Sequence, residues 1–131
     1  MRPNLISPPS LYPDVPYEYA AIAREGALVF TAGACPLDAA GTVVAKGDRG
    51  AQARQAVENL AVALRAAGSS LEHVLKTTVY VVGEDRSDLV QAWKVVEQAF
   101  GEHSPPSTLL GVKLLGYPEQ LVEIEAIALV A

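Results

Sequence analysis

Several residue types and patterns that mark common protein classes are scarce or missing in this chain. Cys35 is the single cysteine among 131 residues, so an intrachain disulfide is impossible and nothing indicates an oxidising compartment. Residues 1–16 contain no apolar segment typical of a signal peptide, and no apolar run approaches the length of a membrane span. We therefore expect a cytoplasmic protein without a membrane partner.

Metal and nucleotide signatures are missing as well. The two histidines, His73 and His103, belong to no Cys/His spacing and no HExxH sequence, so no metal site is expected. Neither GxGxxG nor GxxxxGK[ST] occurs, and no cofactor is expected. The ten Lys and Arg residues are scattered singly and the net charge is −5, which argues against a nucleic-acid partner.

What is abundant is apolar sequence. Half of the residues are hydrophobic and only 19% are charged, a high apolar share for a chain whose length fits one domain over residues 1–131. This composition favours an oligomer that hides part of the surface of each copy. A densely filled monomer core is the alternative.

The order of hydrophobic periods predicts an α+β domain. Residues 1–16 hold five prolines and are interpreted as an irregular lead-in. Residues 17–24 and 27–32 are predicted to form a hairpin around Glu25-Gly26, and residues 42–45 a short strand. Later strands are predicted at residues 74–82, 107–114 and 120–130, from β-branched and apolar runs.

Two helices are predicted between these strands. Asp48 is expected to cap the first helix, which reaches about Ala67 before Gly68. Ser87 or Asp88 is expected to cap the second. The apolar stripes recur at helical spacing: Ala53, Val57, Leu60 and Leu64 in the first helix, and Leu89, Ala92, Trp93, Val96 and Phe100 in the second. Both helices are expected on one face of a mixed sheet, with another copy of the chain covering the other face.

Two carboxylates stand out on the last strand. In residues 122–127 the side chains alternate, so Glu123 and Glu125 share one face while Val122 and Ile124 share the other. A glutamate in a water-poor cleft can hold and deprotonate a water molecule. The alternative is that both acids lie on a solvated or interface-facing surface. Cys35, just after a strand, is either a nucleophile or, as free cysteines more commonly are, a small inert hydrophobe.

An ordered set of short segments resembles the Rid (reactive intermediate deaminase) family, also called YjgF or endoribonuclease L-PSP. The segments are Val15-Pro16-Tyr17, Phe30-Thr31-Ala32-Gly33, Gln52-Ala53-Arg54-Gln55-Ala56 with Asn59-Leu60, Lys76-Thr77-Thr78-Val79-Tyr80 and Val122-Glu123-Ile124-Glu125-Ala126-Ile127-Ala128. The resemblance implies a chorismate-mutase-like α+β fold assembled as a homotrimer with clefts between subunits. Deaminating members hydrolyse enamines and imines to a carbonyl compound and ammonia without a cofactor.

The resemblance also implies roles for individual residues. Glu123 matches the glutamate that positions water, and Tyr17 matches a tyrosine of the cleft. The substrate-binding residues it implies are Tyr17, the loop residues Ala32, Gly33 and Cys35, and the strand residues Ser107, Thr108 and Leu109.

Two positions depart from the pattern of the family's deaminases. Ser107 stands where an arginine clamps the substrate carboxylate, and Trp93 stands where an asparagine is common; Trp93 is interpreted as a core residue. No neighbouring cation is expected to replace the arginine, since Lys113 lies too far along the strand. Arg24 or Arg54 of another subunit stays open as a replacement for the missing arginine.

The sequence therefore leaves two functions open. In the first, the protein is a cofactor-free hydrolase of an enamine or imine whose substrate is altered by the loss of the arginine. In the second, the same cleft binds a small metabolite without catalysis. The ribonuclease activity in the older family label is disfavoured by the acidic composition.

Overall fold

The structure is a computed structural model, and it describes residues 2–131. Its elements are β1 (Asn4–Ile6), β2 (Ala20–Ile22), β3 (Leu28–Phe30), α1 (Arg49–Ala66), a 3-10 turn (Leu71–His73), β4 (Val74–Val82), α2 (Arg86–Phe100), β5 (Ser107–Val112) and β6 (Val122–Leu129). Neither helix has the length and apolar character that crossing a membrane requires.

The main sheet has four strands in the order β3-β6-β4-β5. Strand β6 runs antiparallel to both β3 and β4, whereas β4 and β5 are parallel and joined by α2. A parallel pair needs a crossover element of this length, and α2 supplies it. The predicted α+β class, with two helices against a mixed sheet, is confirmed.

The core lies between the helices and one face of this sheet. Alternate residues of β4 and β6 point into it, including Val79, Val81, Ile124 and Ala126, and all four are buried. The four predicted core positions of α1 are Ala53, Val57, Leu60 and Leu64, and each is buried. Strand alternation therefore sends Glu123 and Glu125 to the opposite face.

The first helix begins and ends where its sequence predicts. The Asp48 side chain accepts a hydrogen bond from the Ala51 N–H at 3.0 Å, and Gly68 follows the helix with φ +81°. The predicted cap of α2 is wrong by two or three residues. Its N-cap is Asp85, and the Asp88 side chain accepts from the Glu84 and Asp85 N–H groups at 2.9 and 3.3 Å. An acid in the first turn of a helix can accept hydrogen bonds from the N–H groups at and before the N-cap, so the sequence alone does not identify the first residue of the helix.

The N-terminal predictions need correction. Residues 1–16 are not irregular throughout, because residues 4–6 form β1; the prolines flank this strand. The predicted hairpin of residues 17–24 and 27–32 does not form, since β2 pairs with β1 and β3 pairs with β6. The predicted strand at 42–45 is reduced to one bridge between Leu37 and Val43. Local pattern marks strand segments but does not identify their partners.

The face of the main sheet that carries no helix is largely uncovered within one chain. Phe30 on β3 is 70% exposed and Leu110 on β5 is 44% exposed. Tyr80, Ile127 and the two glutamates of β6 lie between these edges and are half-buried. Large apolar side chains and acids thus share this face.

Candidate functional site

Glu123 is the most closely held acid on the uncovered face. Its Oε1 atom accepts a hydrogen bond from the Gln120 side-chain amide at 3.1 Å and from the Cys35 thiol at 3.3 Å. Gln120 is buried and its amide also donates to the Val122 carbonyl at 3.1 Å, so the donor itself is fixed. One oxygen of the carboxylate is therefore anchored from two sides.

The second oxygen of Glu123 lies against Gly33. A Cβ atom on Gly33 would lie 2.1 Å from Glu123 Oε2, so no other residue fits at position 33 without moving the carboxylate. The backbone on both sides is paired, with Ala34 N–H donating to the Ile124 carbonyl at 2.7 Å and Ile124 N–H donating to the Ala34 carbonyl at 3.1 Å. Among residues 2–131, no donor is paired with Oε2. That oxygen is left for a water molecule or a ligand.

Cys35 behaves as a hydrogen-bond donor to this carboxylate. Burial, followed by the hydrogen bond and negative charge of Glu123, raises the pKa of the Cys35 thiol from 9.0 to about 11. A thiol held in its neutral form is a poor nucleophile. The nucleophile interpretation of Cys35 is therefore disfavoured, and its contact with Glu123 is a feature that the sequence did not reveal.

Helix α1 fixes the loop that carries Cys35. The Asn59 amide donates to the carbonyls of Cys35 and Leu37 at 2.8 and 2.9 Å, and the Gln55 amide donates to Asn59 Oδ1 at 3.0 Å. These residues belong to one of the segments that resemble the Rid family. Their contacts here are with the backbone of residues 35–37, which holds Cys35 beside Glu123.

Glu125, the second acid on β6, has a different setting. It lies opposite Thr78 in the strand pairing, two residue pairs away from Glu123 and Tyr80. Burial, and then the charge of Glu125, raises the pKa of Tyr80. Neither Cys35 nor Gln120 hydrogen-bonds to Glu125. It is a natural internal comparison for Glu123.

A second group of predicted residues surrounds an open cavity of about 470 Å³ at the β5 edge. The residues that line it are Pro16, Tyr17, Trp93, Ser107, Thr108 and Leu109. The structure thus brings Tyr17 together with the three predicted β5 residues. Ala32 and Gly33 line a separate cavity of about 350 Å³ beside β3.

The two β5 hydroxyls are already engaged by strand β4. Thr77 Oγ1 donates to Ser107 Oγ at 2.5 Å, and Lys76 Nζ donates to Thr108 Oγ1 at 2.6 Å. Each hydroxyl acts as an acceptor in these bonds, so its own proton is available to a ligand. Lys76 reaches Thr108, the neighbour of Ser107, but does not line the cavity, so the expectation that no neighbouring cation replaces the arginine stays a prediction. The parallel register of β4 and β5, which aligns Thr77 with Ser107, was not predictable from either segment alone.

Within one chain the predicted site is divided into two halves. Glu123, Gly33, Cys35 and Gln120 form the Glu123 half-site, on β6 and the loop after β3. Tyr17, Trp93 and residues 107–109 form the β5 half-site. Strands β3 and β5 are the two edges of the sheet, and β6 is separated from β5 by β4, a distance of about 10 Å for two strand spacings. Within one chain, the cavity of about 470 Å³ at the β5 half-site is lined by no residue of the Glu123 half-site.

Comparison with known proteins agrees with this arrangement of elements. A family model described as endoribonuclease L-PSP matches residues 9–130. The chain belongs to this family, the Rid or YjgF proteins. A RutC family protein of Pyrococcus horikoshii is 38% identical over 110 residues, which are 84% of this chain and 85% of that protein.

Two further relatives of this Rid-family chain are informative. A 2-iminobutanoate/2-iminopropanoate deaminase of Salmonella typhimurium is 37% identical over 107 residues, 79% of this chain and 80% of the enzyme. The crystal structure of YyfB of Yersinia pestis, a Rid protein of unknown function, shares 32% identity and superposes with a TM-score of 0.89. The superposition covers 98% of this chain and 99% of YyfB. Family membership and fold are confirmed.

The described part of the chain offers no grouping of three His, Cys, Asp or Glu side chains that could hold a metal ion. The polar groups of the two half-sites include the Glu123 carboxylate on one side and the hydroxyls of Ser107, Thr108 and Tyr17 on the other. A carboxylate with one free oxygen suits water activation, and hydroxyl donors suit the recognition of an acceptor group.

Proposed function

We propose that this Rid-family protein hydrolyses a reactive imine, or an enamine after its tautomerisation to the imine, in a cleft formed between two subunits. The observation that carries this proposal is the anchoring of Glu123 Oε1 by Cys35 and Gln120, which leaves Oε2 open above Gly33. The deaminase relative from Salmonella supports the reaction class.

The reaction balances with water as the only co-reactant. Glu123 Oε2 accepts a proton from water as the water oxygen bonds to the imine carbon, and the carboxyl group returns that proton to the nitrogen, giving a neutral carbinolamine. The Glu123 carboxylate then takes the hydroxyl proton of the carbinolamine and passes it to the nitrogen as the C–N bond breaks. Ammonia leaves and the carbonyl forms, so that one imine and one water yield one carbonyl compound and one ammonia without a cofactor.

The cleft of this proposal is shared between copies of the chain. The β5 half-site of one subunit supplies Tyr17, Ser107, Thr108 and Leu109, while the neighbour supplies Glu123 with Ala32, Gly33 and Cys35. A homotrimer closes such edge-to-edge contacts into a ring and covers the exposed Phe30 and Leu110. We place the protein in the cytoplasm, where a free thiol such as Cys35 stays reduced.

The test compares two acids on one strand. 2-Imino acids, generated in the assay by an amino-acid oxidase, are supplied to the wild-type protein, Glu123→Gln and Glu125→Gln. We expect Glu123→Gln to lower kcat by roughly 10²–10⁴-fold, because a positioned acid–base group contributes about that factor. Glu125→Gln is expected to stay within a few-fold of the wild type. Equal turnover by wild type and Glu123→Gln would remove Glu123 from the mechanism.

A binding protein without catalysis is the second candidate. Ser107, where deaminating members carry an arginine, favours it, because a hydroxyl holds a carboxylate less firmly than a two-pronged cation does. In that case no imine is turned over by the wild type, and ligand affinity is unchanged in Glu123→Gln.

A further inference from the structure

Trp93 lines two neighbouring cavities at the β5 edge. The open cavity of about 470 Å³ lies on one side of it. A smaller cavity of about 60 Å³ lies between α2 and the start of β5, and Pro16, Trp93 and Ser107 line both. Trp93 was interpreted from the sequence as a core residue. The structure places it half-buried against the core with part of its surface on the candidate cleft.

The walls around Trp93 are mainly apolar. Tyr17, Pro16 and Leu109 face the open cavity, and Val96 and Phe100 continue the apolar lining inward. The charged lining residue is Glu97, in the inner cavity; neither cavity is lined by a lysine or an arginine. Such a surface favours the burial of an apolar group and offers no ion pair to a carboxylate placed against the indole.

On the sheet side of the open cavity, the polar groups are the hydroxyls of Ser107 and Thr108 on β5. Ser107 and Thr108 each have a proton to donate, because Thr77 and Lys76 already donate to their oxygens. A carbonyl or carboxylate oxygen fits these hydroxyls, with the charge of Lys76 behind Thr108. When an oxygen of the ligand accepts hydrogen bonds from Ser107 and Thr108, the rest of the ligand lies along the Trp93 side chain.

The cavity is held open by contacts that do not depend on a ligand. The Glu18 N–H donates to the Ser104 carbonyl at 2.9 Å and ties the Pro16-Tyr17 segment to the loop after α2. The Tyr19 ring packs edge-on against Tyr17 with 5.7 Å between ring centroids. Space for a phenyl ring is available without rearrangement, since about 150 Å³ suffices for benzene.

We propose that Trp93 is a specificity-determining residue that selects imines carrying a bulky apolar group, aromatic ones above all. This inference rests on the proposed hydrolase function and names its substrate class. The aromatic or branched group lies on the indole of one subunit, and the imine carbon faces Glu123 of the neighbour. A methyl group in the same place would leave most of the apolar wall uncovered.

The kinetic test uses 2-imino acids made by an amino-acid oxidase from alanine, leucine and phenylalanine. For the wild type we expect kcat/KM to rise in that order, by about 10² from alanine to phenylalanine, in line with the selectivity of apolar pockets. Trp93→Leu is expected to reduce this ratio at least tenfold, mainly through KM for the phenylalanine-derived imine. Trp93→Phe should retain most of the preference. Val90→Ala, an exposed position on the same helix that lines neither cavity, should leave it unchanged.

A binding test needs neither catalysis nor a variant. Trp93 is the only tryptophan of the chain, so fluorescence excited at its red edge reports on this cavity alone. We expect 3-phenylpropanoate to shift the emission saturably, and propanoate at the same concentration to leave it unchanged.

The outcomes separate the two proposals. Turnover with no side-chain preference, or a preference that Trp93→Leu leaves intact, overturns the role of Trp93 while the hydrolase function stands. Saturable binding of 3-phenylpropanoate without turnover of any imine supports the cavity assignment and overturns the hydrolase. If 3-phenylpropanoate and propanoate give the same response, the inference is wrong.

Discussion

At the residue scale, the chemistry of Glu123 depends on how its two oxygens are used. Cys35 and Gln120 both donate to Oε1, while Oε2 stands over Gly33 without a donor from the described residues. A free carboxylate rotates and presents either oxygen to water. Here the two donors to Oε1 oppose that rotation, so in the proposed reaction the fold would select the oxygen that meets water and reduce the entropy lost in reaching the reactive geometry.

The thiol of Cys35 provides a direct probe of this arrangement. Because its pKa is raised from 9.0 to about 11, we expect its alkylation by iodoacetamide to increase with pH up to about 11. At pH 8 the thiolate fraction should be roughly a hundredfold smaller than for a pKa of 9. Glu123→Gln should shift the profile to lower pH, since the charge of Glu123 contributes to the rise. The profile should stay above 9, since burial is the larger cause.

Glu125→Gln is the matched control for this experiment and should leave the profile unchanged. A wild-type inflection near 9 would show that neither burial nor Glu123 raises the pKa of the thiol. The raised pKa of Cys35 also makes the free energy of unfolding depend on pH. The protonated thiol contributes stability that is fully present below the unfolded pKa of about 9 and is lost as the pH rises through about 11.

Part of this site could be predicted from single residues and part could not. Glu123 was found because strand alternation and the family resemblance both point to it. Gln120 and Cys35 were missed as its donors, since the hydrogen bonds join a turn, a loop and a strand far apart in sequence. Lys76 was missed because its reach to Thr108 depends on the register of two parallel strands. The residues on the outward face of a strand can be predicted from the alternation along that strand. The contacts of a side chain with other strands cannot, because they depend on the register of the strand pairing.

At the element scale, helix α1 is the support for both loops of the Glu123 half-site. Its Asn59 holds residues 35–37, and its buried Gln52 holds the turn before β6. The Gln52 amide donates to the Glu119 carbonyl at 3.0 Å and its carbonyl accepts from the Leu121 N–H at 2.7 Å. Glu119 has φ +69°, an unfavourable conformation for a residue other than glycine. These two hydrogen bonds of Gln52 hold the backbone at Glu119 and Leu121 and so stabilise this conformation.

Gln52→Leu tests this support. The leucine nearly fills the same volume but removes the hydrogen bonds of the Gln52 side chain to the Glu119 carbonyl and the Leu121 N–H, so we expect a loss of about 1–3 kcal/mol in the free energy of unfolding. Urea unfolding at a fixed protein concentration measures it, with Gln91→Leu at an exposed position of α2 as the control. A change below about 0.5 kcal/mol, equal to that of the control, would mean that the turn stabilises itself.

The elements themselves differ in how far their sequences determine them. Strand β4 (Val74–Val82) and helix α1 agree with their predicted bounds because a long β-branched run and a capped amphipathic stripe are local signals. Strand β1 was hidden among prolines, and β2 and β3 joined different sheets although a turn links them. Three-residue strands carry too little pattern to identify a partner.

At the scale of the whole molecule, the two half-sites lie at different parts of one sheet and the face between its edges is uncovered. Phe30 is 70% exposed on the β3 edge strand, and Leu110 is 44% exposed on β5. In the proposed trimer, the β3 side of one subunit would pair with the β5 side of the next, bury both residues and join the half-sites into three equivalent clefts. Such an assembly would also account for the high apolar share of the composition.

Complementation between two inactive variants tests most directly whether the site is formed by two subunits. Glu123→Gln disables one half-site, and Thr108→Tyr fills the other from an exposed position on β5. Each alone should be inactive as a trimer. After subunit exchange in equal amounts, followed by native mass spectrometry, about a quarter of the clefts should combine two intact halves, and turnover of the phenylalanine-derived imine should recover to about a quarter of the wild-type rate. Mixed trimers that form without any recovery would contradict the inter-subunit site.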